Sequence, residues 1–324
     1  FLDKNVLRSI NFFNLISLNK YLIEPSSIIN LHWFHSGLLS IEEISKIKNP
    51  LVITLHDSWF INKSSHYNKK FEFYKLNFIQ NMLIKIINRW VLYRKHKINN
   101  ISCFISPSKW IESLVLKDPY FSKFRIEVIP NPLDIHFFKP KKTKIKSTIN
   151  VLTYFDNKIN YLKGGDLLIN FINSVNKKND HTRKVKFIIV GNSTLNKLNM
   201  PNVINYGFLK SEKELLKIYQ FSDICISFSR SENLPQFLTQ AASCGLPLMG
   251  FNIEGIPEVI LNDYNGILIK PYDIDSYIKN FNKLINDDNQ IHKFSINSRN
   301  YAIKNWDQNK ISNKYLNVFN SLKL

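Results

Sequence analysis

In SENLPQFLTQAASCG, residues 231–245, the acid Glu232 stands eight residues before the amide Gln240. The preceding run DICISFS reads as a buried strand, Pro235 stands where a helix begins, and Gly245 and Pro247 stop it. In doubly wound parallel sheets, ligands collect beyond the carboxyl ends of strands, and helix N-termini favour anions. Glu232 and Gln240 are therefore placed to line a cleft. Their acceptor oxygens suit sugar hydroxyls, which donate hydrogen bonds. The plainer reading of Glu232 is a loop acid beside a helix N-terminus. Other groups point less far. His32, His35, His56 and His66 all fall in the N-terminal half, but they lack the helical spacing of a zinc enzyme, and no cysteine pair joins them. Asp273 and Asp275 resemble a metal-binding acid pair, yet they open a helix, where capping accounts for them.

The elements that must position these groups alternate along the chain. SIINLH (27–32), LVITL (51–55), ISCFI (101–105) and RIEVI (125–129) read as strands in the first part, and INVLTY, VKFIIVG, VINYG and DICISFS in the second. Ser40 and Glu43 have capping-box spacing; Ser106 and Pro107 are expected to cap and open the helix that follows ISCFI. Strands separated by helices imply parallel sheets with right-handed crossovers. The basic stretch 139–148 has no apolar period and contains Pro140, so it is the expected linker. The expected domains are 1–138, 149–305 and a C-terminal helix, 306–324, that packs back on the first. The segment 78–98 has apolar residues at helical spacing with Lys85, Arg89, Arg94, Lys95 and Lys97 among them. It is either a packed helix with a solvated charged face or a surface for anionic lipid.

The chain has 324 residues, 44% of them hydrophobic, enough for two ordinary domains. No apolar run is long enough to span a bilayer. Cys103, Cys225 and Cys244 are scattered, which favours buried thiols in a reducing compartment. The net charge of +19 is compatible with nucleic acid, anionic lipid or phosphorylated substrates, but no nucleic-acid-binding motif accompanies it. The chain opens on Phe1 rather than Met, so its true N-terminus is expected to be missing.

The run from Ser231 to Asp273 resembles the signature of glycosyltransferase family 4: an acid, seven residues, a second acid on a helix, then GLP, GIPE and NG. INLHWFHSG, PLVITLHDSW, ISPSKWIESLV, VIPNPLDIHFFKP and LKGGDLL are similar to further blocks of that family, in order, in members that build bacterial surface polysaccharides. The resemblance implies the GT-B fold, an α/β architecture of two Rossmann-like doubly wound domains facing a cleft. It implies a retaining transfer from a nucleotide-sugar donor, with neither cofactor nor metal.

It also implies roles. Glu232 matches the acid that contacts donor-sugar hydroxyls, with Asn233 and Leu234 beside it in the same loop. Gln240 replaces the acid that binds the ribose. An amide accepts once without charge assistance, so the exchange is expected to weaken donor binding by roughly 1 kcal/mol. Lys163, before Gly164, matches the lysine that neutralises the donor diphosphate, and Lys158 stands where an arginine is common. His56 matches the histidine that approaches the donor sugar; its plainer reading is a histidine satisfied by Asp57. His32, Trp33 and His35 fall on the acceptor side. Gly255 would let the backbone approach the donor, Glu258 opens a further helix, and Glu254 occupies a position where glycine is common. The function implied is transfer of a sugar to a saccharide acceptor, such as a lipid-linked oligosaccharide, in polysaccharide or lipopolysaccharide synthesis. The place implied is the cytoplasm, at the inner face of the membrane. The alternatives are a sugar-nucleotide epimerase or hydrolase of the same fold and a non-catalytic truncated remnant.

Overall fold

The computed structural model describes residues 8–15, 24, 26–34, 38–67, 78–141, 147–156, 161–178, 183–191, 200 and 202–323. The chain divides into two compact units, Phe1–Pro130 with Ser312–Leu324, and Asn131–Ile311.

Unit 1 holds a parallel sheet of β1 (Ile29–Leu31), β2 (Leu51–Thr54), β3 (Ile101–Ser106) and β4 (Ile126–Val128), side by side in chain order. All four residues of β2 are buried, as expected of an interior parallel strand covered on both faces. The helices are α1 (Ile41–Ser45), α2 (Phe78–Lys95) and α3 (Lys109–Lys117). Ser40 caps α1 by accepting from the Glu43 amide at 3.1 Å. The cap of α3 is Ser108, not Ser106: β3 runs on through Ser106, which moves the turn two residues along. Ile44, Leu51, Ile53, Val91, Phe104 and Val115 form the centre of this core. Each such fully buried side chain contributes roughly 1.5–3 kcal/mol.

Two of the five cations noted in the α2 segment are not on a solvated face. Lys95 is wholly buried, its ammonium donating to the carbonyls of Trp59, Asn62 and Lys63. Arg94 is 5% exposed; it pairs with Glu42 and donates to the carbonyls of Ile10 and Asn11.

Unit 2 holds β5 (Thr148–Tyr154), β6 (Lys184–Val190), β7 (Val203–Gly207), β8 (Ile224–Ile226), β9 (Leu248–Phe251) and β10 (Gly266–Ile269), in the parallel order β10-β9-β8-β5-β6-β7. Its helices are α4 (Gly165–Lys178), α5 (Glu212–Phe221), α6 (Gln236–Ser243), α7 (Ile274–Ile285) and α8 (Asp288–Asn305); α9 (Gln308–Asn320) begins in unit 2 and continues in unit 1 from Ser312. Alternate residues of each strand feed two cores. Val151, Phe187, Ile189 and Ile224 face one side, and Leu152, Ile188, Val190 and Cys225 the other. The sheet is doubly wound. Its order reverses at β5, which pairs with β6 on one edge and β8 on the other. The connection after β5 therefore leads toward β6 and that after β8 toward β9, in opposite directions across the sheet, which is the position where doubly wound sheets bind ligands.

Residues 131–138, read from sequence as the end of the first domain, belong to unit 2, because Leu133, Ile135 and Phe138 bury in its second core. The stretch from Ser312 onward belongs to unit 1. Cys103, Cys225 and Cys244 are unpaired and buried; burial pushes the Cys103 thiol up to about 11 and Cys244 to about 12.

Candidate functional site

Three loops of unit 2 meet at the carboxyl ends of β5, β8 and β9. The first carries Tyr161, Lys163 and Gly164 into α4. Gly164 has φ +67°, and a Cβ there would lie 1.9 Å from the Phe228 carbonyl oxygen, so only glycine lets this loop lie against the one after β8. Lys163 Nζ donates to Glu232 Oε1 at 2.5 Å; the two side chains are 23% and 14% exposed. The sequence brings these residues together from 69 positions apart. Glu232 therefore does not cap α6, whose N-cap is Pro235 without a side-chain bond.

The third loop closes on the second. The Gly255 amide donates to the Glu232 carbonyl at 2.9 Å. A Cβ on Gly255 would fall 1.4 Å from the Asn233 carbonyl oxygen. The close approach that demands this glycine is to the protein's own loop. Glu254 sits at φ +49°, which explains why glycine suits this position. Its carboxylate accepts from Ser231 Oγ at 2.5 Å and from the Glu232 amide at 3.0 Å, which fixes the loop that carries Glu232. The Leu234 side chain is buried in the core, so only its backbone is left for a ligand. Glu258 ends a three-residue 3-10 turn rather than opening a longer helix, and its carbonyl accepts from the Tyr301 hydroxyl.

Gln240 is 7% exposed and lines a cavity of about 380 Å³ with Tyr154, Gly191, Phe208, Leu209 and Phe237. The Tyr219 hydroxyl lies 3.0 Å from the Phe237 carbonyl and 3.1 Å from the Gln240 amide. A hydroxyl has one proton, and amide oxygen and nitrogen are assigned from the network. If the Tyr219 proton goes to Phe237, the Gln240 nitrogen donates to Tyr219 and its carbonyl oxygen faces the cavity. That assignment gives the one hydroxyl proton a single acceptor and replaces the contact with Gln240 Oε1 by a donor. Tyr154 links this cavity to the charged pair: Lys163 Nζ lies 5.8 Å from its ring centre. Burial, the Asp156 charge and a hydrogen bond to Asp156 push the Tyr154 phenol up to about 12, so it stays neutral. Sequence reasoning missed this cavity, although Gly191 and Phe208 follow strands it had found. Lys158 lies outside the described residues.

Unit 1 carries a separate constellation. His32 Nδ1 is 2.8 Å from His56 Nε2, and Asn30 Nδ2 is 2.9 Å from His32 Nε2. Thr54 donates to Asn30 Oδ1 at 3.0 Å, which fixes the amide with its nitrogen toward His32. His32 is then protonated on Nδ1 and donates to His56 Nε2, leaving the His56 proton on Nδ1. Burial, then the neighbouring His32, lower the His56 pKa to about 4, against the attraction of Asp57, so His56 is neutral at physiological pH. The exposed Trp33 stacks on His56, centroids 5.5 Å apart. His35 lies outside the described residues.

The structure pairs Asp57 with a different histidine. Its carboxylate is 2.6 Å from His66 Nδ1, and His66 Nε2 is 2.8 Å from Ser9 Oγ. Hydroxyl, imidazole and carboxylate follow the order of a nucleophilic triad. Ser9 and His66 are only 4% and 1% exposed, with Trp59 stacked on the imidazole, so the network ties 57–66 to Ser9 instead of meeting a substrate.

Comparison with known proteins matches both parts of the chain. Residues 137–301 match the model described as glycosyl transferases group 1, and residues 3–137 match glycosyltransferase family 4. An uncharacterised 41.2 kDa protein of the Klebsiella pneumoniae cps region is 25% identical over 96% of this chain and 82% of its own length. The Escherichia coli UDP-Gal:alpha-D-GlcNAc-diphosphoundecaprenol alpha-1,3-galactosyltransferase is 24% identical over 72% of this chain and 65% of its own. The structure of sucrose-phosphate synthase from Thermosynechococcus elongatus superposes with TM-score 0.70 at 15% identity, over 91% of this chain and 73% of that one.

Proposed function

The chain belongs to the group 1, family 4 glycosyltransferases, and on that premise we propose how unit 2 holds the donor of this nucleotide-sugar transfer. The Lys163–Glu232 pair is the observation that carries the reading. A cation and an acid share one bond at the switch point of a doubly wound sheet, two residues before α4 begins. The donor diphosphate binds Lys163, with Lys158 as a second cation. Glu232, released from Lys163, accepts from the sugar hydroxyls, with the backbone of Asn233 and Leu234 alongside. The nucleoside enters the cavity beside Gln240, where the rings of Tyr154 and Phe237 offer flat apolar faces for a base and the Gln240 carbonyl accepts one ribose hydroxyl.

The diphosphate leaves as the acceptor hydroxyl attacks from the same face and passes its proton to the departing phosphate oxygen, so the anomeric configuration is retained and no protein nucleophile forms a bond to the sugar. The two lysines neutralise the developing negative charge, the task a divalent cation would otherwise perform, so the transfer proceeds with no metal. His56, neutral and held by His32, helps to position the transferred sugar, and the exposed Trp33 serves the acceptor side.

The acceptor in this reading is a lipid-linked saccharide, by analogy with the diphosphoundecaprenol named for the E. coli relative. Among the described residues no helix is long and apolar enough to cross a membrane. The outer face of α2 supports contact with a lipid surface. Phe78, Ile79, Ile86 and Trp90 are 83, 63, 56 and 40% exposed, with the exposed cations Lys85 and Arg89 among them. That alternation fits anionic headgroups over an apolar boundary.

Incubation with sugar nucleotides and diphosphoundecaprenol-linked saccharides, in the presence of EDTA, tests the reading. The product is expected to gain one sugar with retained configuration. Nucleotide release without acceptor would contradict the transfer and favour a hydrolase.

A further inference from the structure

Arg230 lies two residues before Glu232, on the same loop. It was not singled out in the sequence, and the donor site described above does not use it. Its side chain is 8% exposed. Its two terminal nitrogens donate to Oδ1 and Oδ2 of Asp166, each at 2.6 Å, and Nη1 also donates to the Tyr161 carbonyl at 2.7 Å. The guanidinium lies over the Tyr161 ring, 4.1 Å from its centre, and the Arg230 amide donates to the Leu162 carbonyl at 2.7 Å. Every one of these partners is on the segment that carries Lys163: Tyr161 and Leu162 precede it, and Asp166 stands in the first turn of α4.

The arginine is also spoken for electrically. Burial works to raise the Asp166 pKa, but the hydrogen bonds and charge of Arg230, together with the backbone amides of Asp166 and Leu167, outweigh it and hold the carboxyl below its usual range. Arg230 is paired and enclosed, its side chain 8% exposed against 23% for Lys163 and both terminal nitrogens already engaged, and is poorly suited to bind a phosphate itself. A planar fork that grips two acceptors at fixed spacing suits the holding of one loop against another.

We propose that Arg230 is a positioning residue: it clamps the loop that carries Lys163 to the loop that carries Glu232, so that the diphosphate-binding cation and the sugar-binding acid are presented as one preformed unit. This rests on the donor-site reading given above. The clamp acts through Lys163, which gives it a signature that general damage to the fold would not produce. Residues that act as a unit are non-additive.

Binding of UDP, GDP and ADP is measured by calorimetry for the wild type, Arg230→Lys, Lys163→Ala and the double variant, with Asp166→Asn as a milder break at a half-exposed site. Lysine keeps the charge but not the fork. The nucleotide that binds the wild type is expected to bind Arg230→Lys about tenfold more weakly and Asp166→Asn about threefold more weakly. In the Lys163→Ala background, Arg230→Lys is expected to cost less than about twofold. In turnover, the donor KM rises in Arg230→Lys and in Asp166→Asn while the acceptor KM holds. Equal losses from Arg230→Lys in the two backgrounds, or wild-type affinity in both Arg230→Lys and Asp166→Asn, overturn the clamp alone. No nucleotide binding by the wild type overturns the donor site and the clamp with it.

Discussion

Lys163 Nζ and Glu232 Oε1 are 2.5 Å apart, so each of the two charged groups at the switch point is neutralised by the other. In the proposed donor site a diphosphate competes with the acid for this lysine. Displacement of the lysine would free the acid for the sugar, which would couple arrival of the leaving group to engagement of the sugar through one exchanged ion pair.

Glu232→Gln removes the competitor for Lys163 and the acceptor for the sugar at once. The two effects separate by ligand. The free nucleoside diphosphate should bind about threefold more tightly, the scale of a partly exposed ion pair. Turnover should fall on the order of 10²-fold, the scale of losing one oriented polar contact in the transition state. Titration with nucleotide and a transfer assay on the same preparation check both; tighter product binding with unchanged turnover would remove Glu232 from the reaction.

Gln240→Glu restores a second charged acceptor toward the cavity. Nucleoside diphosphate affinity is expected to rise about fivefold, from roughly 1 kcal/mol of added hydrogen bonding. The 2′,3′-dideoxy nucleotide should show no gain. A gain shared by both nucleotides would place the ribose away from Gln240.

How much of this was legible in the sequence depended on the range of the interaction. The β8–α6 turn was plain, because an apolar run, Pro235 and Gly245 punctuate it locally. The alternation that gives two sheets was equally plain. The Arg230–Asp166 clamp was not, since it joins residues 64 apart and neither belongs to a periodic pattern. Lys95 was misleading for a related reason. Its place among basic residues on a helix suggested solvent, while the fold gives it three carbonyls and the Trp59 ring, 3.9 Å away. The cap of α3 was misplaced because Ser106 and Ser108 have the same chemistry, and only the length of β3 decides between them.

The His32–His56 couple makes stability depend on acid. Burial holds the His56 pKa at about 4, below that of an unfolded histidine, and His32 is lowered as well. Between about pH 6.5 and 4 the unfolded chain therefore binds more protons than the folded one, so stability falls as pH falls through that window. Denaturant titrations of the wild type should show this slope, and His56→Gln should make it shallower. An unchanged slope in the variant would mean that His56 titrates normally.

The α2 face makes a prediction about lipid. Ile86→Ser with Trp90→Ser removes apolar surface that is 56% and 40% exposed, so the fold should be little changed. Sedimentation with vesicles containing phosphatidylglycerol should fall at least fivefold in the double variant. Transfer to a short water-soluble acceptor should be retained. Equal sedimentation of variant and wild type would take the lipid surface away from α2.

The most direct test of the donor site is calorimetric titration of UDP, GDP and ADP into the wild type and Lys163→Ala. Saturable binding of one nucleotide by the wild type, weakened at least tenfold in the variant, is the predicted result, since Lys163 is a described cation at the switch point. The prediction follows from the assignment of the diphosphate to Lys163 and not to Arg230, the other described cation there, which Asp166 holds. Binding that is equally tight in the variant would contradict that assignment, and with it the account of the site.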